Sequence, residues 1–420
     1  MRYTKNDIFR LVEEEDVEFI RLQFTDIYGN LKNMAVTSSQ LEKALDGKCS
    51  FDAVAVEDYN YSTDYTMYLR PDLDTFEILP WRPQQGKVAR LFCDVYTVDG
   101  EPYEGDPRYV LKKAIAKAKA MGYDFNVGPE CEFFLFNTDE NALPTTQTNE
   151  KAGYFDCGPV DFGENARRDI VLTLEQMNFT VESSHHEMAP AQHEVDFQYA
   201  EALKTADNIQ TFKLTVKTIA KRHGLHGTFM PKPKEGVNGS GMHMNMSLMK
   251  DGKNAFYDAD DVNGLSKEGY YFLGGIAKHI KGITAVTNPL VNSYKRIIAN
   301  TNQIFMIPKD GEERARVEFR SPDPAANPYL ALAVCLTAGL QGIENKIEPP
   351  KNILTKWTAA SGALPTTLAD AIAEFEKDAL IKDTLGKEMF TNYANVKKKE
   401  WEAYCSRVTN WEIDQYLDKY

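Results

Sequence analysis

VGPECEFFLF, residues 127–136, places two carboxylates, Glu130 and Glu132, one residue apart inside an otherwise apolar run. A β-strand alternates its faces, so side chains at i and i+2 point the same way. Read as a strand, the stretch puts both glutamates on one face. Like charges on one face repel, and burying them is costly. Two readings follow: an exposed face loosely paired with lysines, or a cation held between the acids.

The rest of the chain bears on that choice. It has 420 residues, 43% of them hydrophobic, enough for a large core in two or three domains. A formal net charge of −14 argues against a nucleic-acid surface and is compatible with cation binding. The longest apolar stretch, YLALAVCLTAGL from Tyr329, is shorter than the roughly 18 residues of a membrane span and reads as a buried helix. The N-terminal segment MRYTKNDIFRLVEEED lacks the apolar core of a signal peptide. Six scattered cysteines without a CxxC pair suit reduced thiols in the cytoplasm.

Residues 1–104 read as a β-rich domain, with VEFIRLQFTDIYG and GKVARLFCDVYTVDG as strands. EGDPRYVLKKAIAKAKAMG then opens a helix with Asp106 as N-cap, Pro107 in the first turn and Gly122 after the end. Residues 105–420 read as a second, larger domain. Its strand candidates are VGPECEFFLF, HHEMAPAQHEVDFQYA, LHGTFMPKP, GMHMNMSLM and RARVEFRS. Long helical patterns separate them, and from Thr366 the chain reads as helical almost to its end. Strands clustered apart from helices predict an α+β fold. No phosphate-binding GxGxxG or GxxxxGK[ST] element is present.

The acidic pair is not isolated. Glu187 and Glu194 bracket one strand candidate. His243, Asn245 and Ser247 alternate along HMNMS, and Arg316, Glu318 and Arg320 alternate along RVEFR. A sheet turning these faces to one cleft would gather five carboxylates, an imidazole and two guanidiniums. Carboxylates suit Mg²⁺ or Mn²⁺, and the imidazole leans toward Mn²⁺. Neighbouring arginines suggest anionic substrates. The glycine-containing loop MPKPKEGVNGSGMH, with Asn238 and Gly239, lets backbone approach a ligand, or else makes a hairpin turn.

These segments resemble glutamine synthetase of the bacterial class I form, nearly end to end. The likeness is carried by LQFTDIYGNLKN, GPECEFFLF, AGYFDCGPVDFGENARRDI, SHHEMAPAQHEVDF, TFMPKPKEGVNGSGMH, NPLVNSYKR, RVEFRSPDPAANPYLALAV and WEIDQYLDKY. The resemblance implies a small β-grasp-like domain and a large catalytic domain with a curved antiparallel sheet flanked by helices. It implies an ATP-dependent ligase that makes glutamine from glutamate and ammonia through a γ-glutamyl phosphate, in a cytoplasmic dodecamer of two hexameric rings. By position, it implies one Mg²⁺ or Mn²⁺ on Glu132, Glu187 and Glu194, and a second on Glu130, His243 and Glu318. Asn238, Gly239, Arg296 and Arg320 would hold glutamate. Glu182, Asn245, Ser247 and Arg316 would lie along the nucleotide, and Asp52 would help form the ammonium site across a subunit boundary.

The sequence departs from the pattern in places. The Gly-Tyr-Glu-Ala-Pro flap expected after NPLVNSYKRII is absent, and two downstream arginines fall on Thr301 and Met306. Two serines after Asp52 are replaced by Val54 and Ala55, and the stretch between Pro350 and Leu364 is short. These departures open an alternative: a weakly active paralogue with an assembly or regulatory role, or a γ-glutamyl ligase using another amine.

Overall fold

The computed structural model describes residues 3–56, 66–300, 302–358 and 361–420; Thr301 lies outside them. The first part of the chain runs α1 (Lys5–Glu14), β1 (Val17–Thr25), β2 (Leu31–Thr37), α2 (Leu41–Leu45), β3 (Cys49–Asp52), β4 (Thr66–Pro71), β5 (Glu77–Ile78) and β6 (Lys87–Tyr96). Its sheet is ordered β2-β1-β6-β4-β3, with β5 beside β6 and β1 parallel to β6. The two helices here escaped the strand-dominated reading. For α1 the signal is a capping box, in which Thr4 accepts from the Asp7 N–H and Asp7 accepts from the Thr4 N–H.

Next come α3 (Pro107–Ala120), β7 (Asp124–Asn137), α4 (Glu164–Gln176), β8 (Val181–His186), β9 (Gln192–Phe197), β10 (Ala200–Glu201), α5 (Ala202–Arg222), β11 (Leu225–Thr228), β12 (Met242–Lys250) and β13 (Lys253–Asn254). Then follow α6 (Lys267–Thr287), α7 (Val291–Ala299), β14 (Phe305–Met306), β15 (Val317–Phe319) and α8 (Pro328–Glu344). The chain closes with α9 (Leu368–Lys377), α10 (Ala379–Leu385), α11 (Lys387–Cys405) and α12 (Asn410–Tyr416). As the sequence predicts, Asp106 caps α3 through the Arg108 N–H, Pro107 opens it, and Gly122 follows it at φ +84°. The segment read as one strand around HHEMAPAQHEVDF is a hairpin. β8 and β9 pair antiparallel, and the connection turns at Ala191 with φ +68°.

The larger sheet is antiparallel and ordered β14-β15-β12-β7-β9-β8. β12 alternates along its length and β7 as far as Phe133: Val127, Cys131 and Phe133 face the core with Met242, Met244, Met246 and Leu248. α8 lies in that core against α3, α5 and α6. It is apolar all round, as a fully buried helix must be. α6 and α8 approach so closely that a Cβ on Gly275 would stand 2.0 Å from the Ala338 carbonyl oxygen. Only glycine permits that contact.

One buried cation ties the two sheets together. Arg108 on α3 pairs with Asp72 at 2.7 Å and Asp94 at 2.7 Å from the smaller sheet's side, and with Asp207 of α5 at 2.9 Å. Tyr329 Oη donates to Asp207 at 2.6 Å. Removing the guanidinium leaves Asp207 nearly out of water without its ion pair and strips Asp72 of its cation, while Asp94 keeps Lys112. Arg108→Ala is expected to cost about 3–5 kcal/mol, read as a lowered urea midpoint at unchanged slope.

Candidate active site

Strand register decides the site. His243 of β12 pairs with Glu130 of β7, and Asn245 pairs with Gly128 on one side and Glu318 of β15 on the other. Across β7, Glu132 pairs with Glu194 of β9, and Glu130 with Asp196. Core-facing apolar residues fix this register, because a one-residue slip would turn every acid into the core. Glu187 follows β8 and is pinned from beneath. The buried His186 bonds the Glu187 carbonyl through Nδ1 at 2.7 Å and Glu150 through Nε2 at 2.8 Å.

Two clusters emerge on the open face. In the first, Glu130, His243 and Glu318 bring one donor atom each within 4.8 Å of one another. His243 Nδ1 lies 2.9 Å from Glu130 Oε2 and 3.5 Å from Glu318 Oε1. Asn245 Nδ2 donates to Glu130 Oε1 at 2.9 Å, while its Oδ1 accepts from Arg316 Nε at 2.8 Å. Arg320 Nη1 reaches Glu318 at 2.6 Å. Burial would raise the Glu130 carboxyl, but His243, Asn245 and Arg320 outweigh it and hold it at about 2.

In the second cluster, Glu187 and Glu194 converge with His185, also within 4.8 Å. His185 Nε2 is 3.0 Å from Glu187 Oε1. Glu132 stands beside them with Oε2 accepting from the Gly241 N–H at 2.8 Å and from Gln192 Nε2 at 2.9 Å. Burial first, then the charges of Asp196, Glu132 and Glu130, drive the Glu194 carboxyl far above the usual range. Burial also raises Glu132. A carboxyl forced to keep its proton by neighbouring acids is one that a divalent cation would ionise. The oxygen-rich donors with one imidazole in each cluster fit Mg²⁺ or Mn²⁺.

The remaining candidates fall around these acids. Glu182, Asn245, Ser247 and Arg316 line a cavity of about 210 Å³ together with Glu130 and Tyr199. Arg296 is buried, its Nη1 donating to the Ser321 carbonyl at 2.7 Å and its Nη2 to the Arg320 carbonyl at 3.2 Å. It underlies the loop of residues 230–241: a Cβ on Gly239 would lie 3.2 Å from Arg296 Cγ and 2.2 Å from the Pro231 oxygen. Asn238 is exposed on that loop, its Nδ2 against Met188 Sδ at 3.3 Å. Asp52 is different. It ends β3 in the smaller sheet, exposed, with Oδ1 accepting from the Val54 N–H at 3.0 Å.

Sequence reading missed Asp196, His185, Tyr199 and Gln192. Asp196 had a signal, since it follows Glu194 by two on the same strand face. His185 and Gln192 depended on where the β8–β9 hairpin turned, and Tyr199 lies in the link between β9 and β10. At one departure, Met306 pairs with Glu318 in register and its Sδ is 3.3 Å from Arg320 Nη1.

The catalytic-domain profile of glutamine synthetase matches residues 104–416, and its beta-Grasp profile matches residues 16–98. The chain belongs to the glutamine synthetase family. It is 54% identical to the glutamine synthetase of Clostridium saccharobutylicum over 441 aligned positions, covering 100% of both chains. To that of Staphylococcus aureus it is 49% identical, covering 100% of this chain and 99% of the relative. Among solved structures, apo GmaS without ligand superposes with a TM-score of 0.89 at 32% identity, covering 98% of this chain and 100% of the other. A cryoEM structure of Plasmodium falciparum glutamine synthetase gives 0.89 at 25% identity, covering 99% of each. The Clostridium alignment is 21 positions longer than this 420-residue chain, in keeping with stretches that the glutamine synthetase pattern has and this chain lacks.

The raised Glu194 carboxyl sets a pH dependence. Without cation, the folded state holds a proton that the unfolded state releases near pH 4.5. This group's contribution to stability therefore falls as pH rises above that value, and cation binding, which displaces the proton, offsets the loss. Mn²⁺ should raise the melting temperature of chelator-treated protein more at pH 8 than at pH 6, measured by scanning fluorimetry.

Proposed function

We propose that this enzyme, an ATP-dependent glutamate–ammonia ligase of the glutamine synthetase family, works with two divalent cations, Mg²⁺ or Mn²⁺, on the open face of its larger sheet. Glu130, His243 and Glu318 would hold one beside the nucleotide phosphates, and Glu132, Glu187 and Glu194 the other. The observation that carries this reading is the register that sets His243 beside Glu130 and Glu132 beside Glu194 on adjacent strands. Bound there, the cations would bring two polyanions together and neutralise charge on the transferring phosphoryl group.

The chain's own residues would bind and orient. Glu182, Asn245, Ser247 and Arg316 would lie along ATP in the cavity they line. Asn238, Gly239, Arg296 and Arg320 would hold glutamate, Arg296 acting from its buried position under the loop. A glutamate side-chain oxygen attacks the γ-phosphorus and ADP leaves. The ammonia nitrogen then attacks the acyl carbon, phosphate departs with the bonding electrons, and the nitrogen gives up a proton. Asp52 would serve the ammonium from a neighbouring copy, a role consistent with its exposed place in the other sheet.

That role requires a homo-oligomer, and we take it to be two stacked hexameric rings. Exposed large side chains beside the site support burial by another copy: Tyr154, Phe155, Phe162 and Met188 are 55–64% exposed. No helix among the described residues is long and apolar enough to cross a membrane, and we place the enzyme in the cytoplasm. Full-length identity of 49–54% to glutamine synthetases does not favour the alternative of a weak paralogue or a ligase for another amine.

Two measurements check this. ADP release that needs both glutamate and ammonium should drop at least about 100-fold in Glu318→Ala, with the melting temperature little changed; an unaltered rate refutes the assignment. Native mass spectrometry should find twelve chains per particle, and a monomer with full activity would remove the shared site.

A further inference from the structure

Gln192 stands between the acids and the substrate loop. It begins β9, two residues before Glu194, and is 1% exposed. Its side chain is fully engaged. Nε2 donates one hydrogen to Glu132 Oε2 at 2.9 Å and the other to the Gly239 carbonyl at 3.1 Å. Oε1 accepts from the Ala189 N–H at 3.2 Å. Glu132 is joined to the same loop twice more, through the Gly241 N–H at 2.8 Å and from its own N–H to the Gly241 carbonyl at 3.1 Å.

The loop is otherwise held from its far end. Asn292 of α7 accepts from the Lys232 N–H at 2.7 Å and donates to the Lys232 carbonyl at 3.0 Å. Ser240 N–H reaches the Pro231 carbonyl at 2.8 Å. Residues 239–241 therefore meet the acid face through Glu132, by its carboxylate and its backbone N–H, and Gln192 is the side chain that spans the gap. The two amide hydrogens lie in one rigid plane. A change in the orientation of Glu132 is thus passed to the Gly239 carbonyl.

We propose that Gln192 is a positioning residue that couples cation binding at Glu132 to the ordering of the glutamate-binding loop. The proposal rests on the assignment of Glu132 to a cation and adds a route by which that cation acts on the second substrate. A carboxylate that ligates a cation is confined to one orientation, and outer hydrogen bonds to such ligands set their geometry. Confined, Glu132 holds the Gln192 amide, which holds Gly239 where glutamate must dock. Linkage makes the effect reciprocal: glutamate tightens cation binding by the same factor.

The test uses the full-length protein and two variants. Gln192→Met removes all three bonds at similar volume. Gln192→Leu removes the same bonds with a branched apolar side chain of similar volume, and melting temperatures of both variants beside the wild type guard against a folding defect. Calorimetric titration of L-glutamate is run with and without Mn²⁺, and amide hydrogen exchange of residues 230–241 is followed on the same samples. In the wild type, Mn²⁺ is expected to tighten glutamate about 10-fold or more and to slow exchange in the loop. In both variants Mn²⁺ still binds, the tightening falls several-fold below the wild-type factor to what direct attraction between cation and glutamate supplies, and loop exchange becomes indifferent to the cation. Variants that keep the wild-type tightening and protection overturn the proposal alone. A wild type that binds no Mn²⁺ overturns the cation assignment beneath it.

Discussion

Carboxylates crowded on one face of a β-sheet repel one another, and the larger domain is organised around that repulsion. Glu130, Glu132, Glu194 and Asp196 lie on two adjacent strands, in register, on the same side. The chain answers in two ways. Around Glu130 it supplies compensation, with an imidazole, an amide and a guanidinium that keep the acid ionised. Around Glu194 it supplies none that suffices, and the carboxyl keeps its proton. An uncompensated pocket of acid is costly to a folded protein. A small hard cation bound there would lower the energy of the whole group.

Holding such a pocket open demands rigidity elsewhere. Beneath the acids lie Cys131, Phe133, Met242 and Met244, all fully buried. A slip of one residue would exchange those side chains for the acids, so core packing and site geometry are a single constraint. The buried α8 and its glycine contact with α6 supply the floor. The Arg108 cluster fixes the smaller sheet against that floor. The loop of residues 230–241 is tethered at both ends, to α7 by Asn292 and to Glu132 by Gly241 and Gln192. Each rigid part sets the reference position for a charged one.

Among the described residues, the departures from the family pattern leave the acids of this frame in place. Val54 and Ala55 occupy an exposed turn after Asp52. The shortened connection after α7 returns through β14, where Met306 lies against Arg320 and Glu318. The donor set in the sheet is unaffected, which fits a chain that remains about half identical to glutamine synthetases along its whole length.

Strand alternation is a local property, and it was readable directly. VGPECEFFLF and GMHMNMSLM declare which residues share a face, and the Asp-Pro…Gly frame of α3 declares where a helix starts and stops. The α+β arrangement and the list of acids followed from those signals. Which acids meet is not local. It depends on strand order and register, set by the packing of side chains far apart in sequence, as between Glu130 and Glu318. The β8–β9 hairpin looked like one strand because its turn is built from Ala191 in a left-handed conformation, where glycine or asparagine would have advertised it. His185 and Gln192 went unread for the same reason, since their contacts exist only once that turn has folded back onto β7.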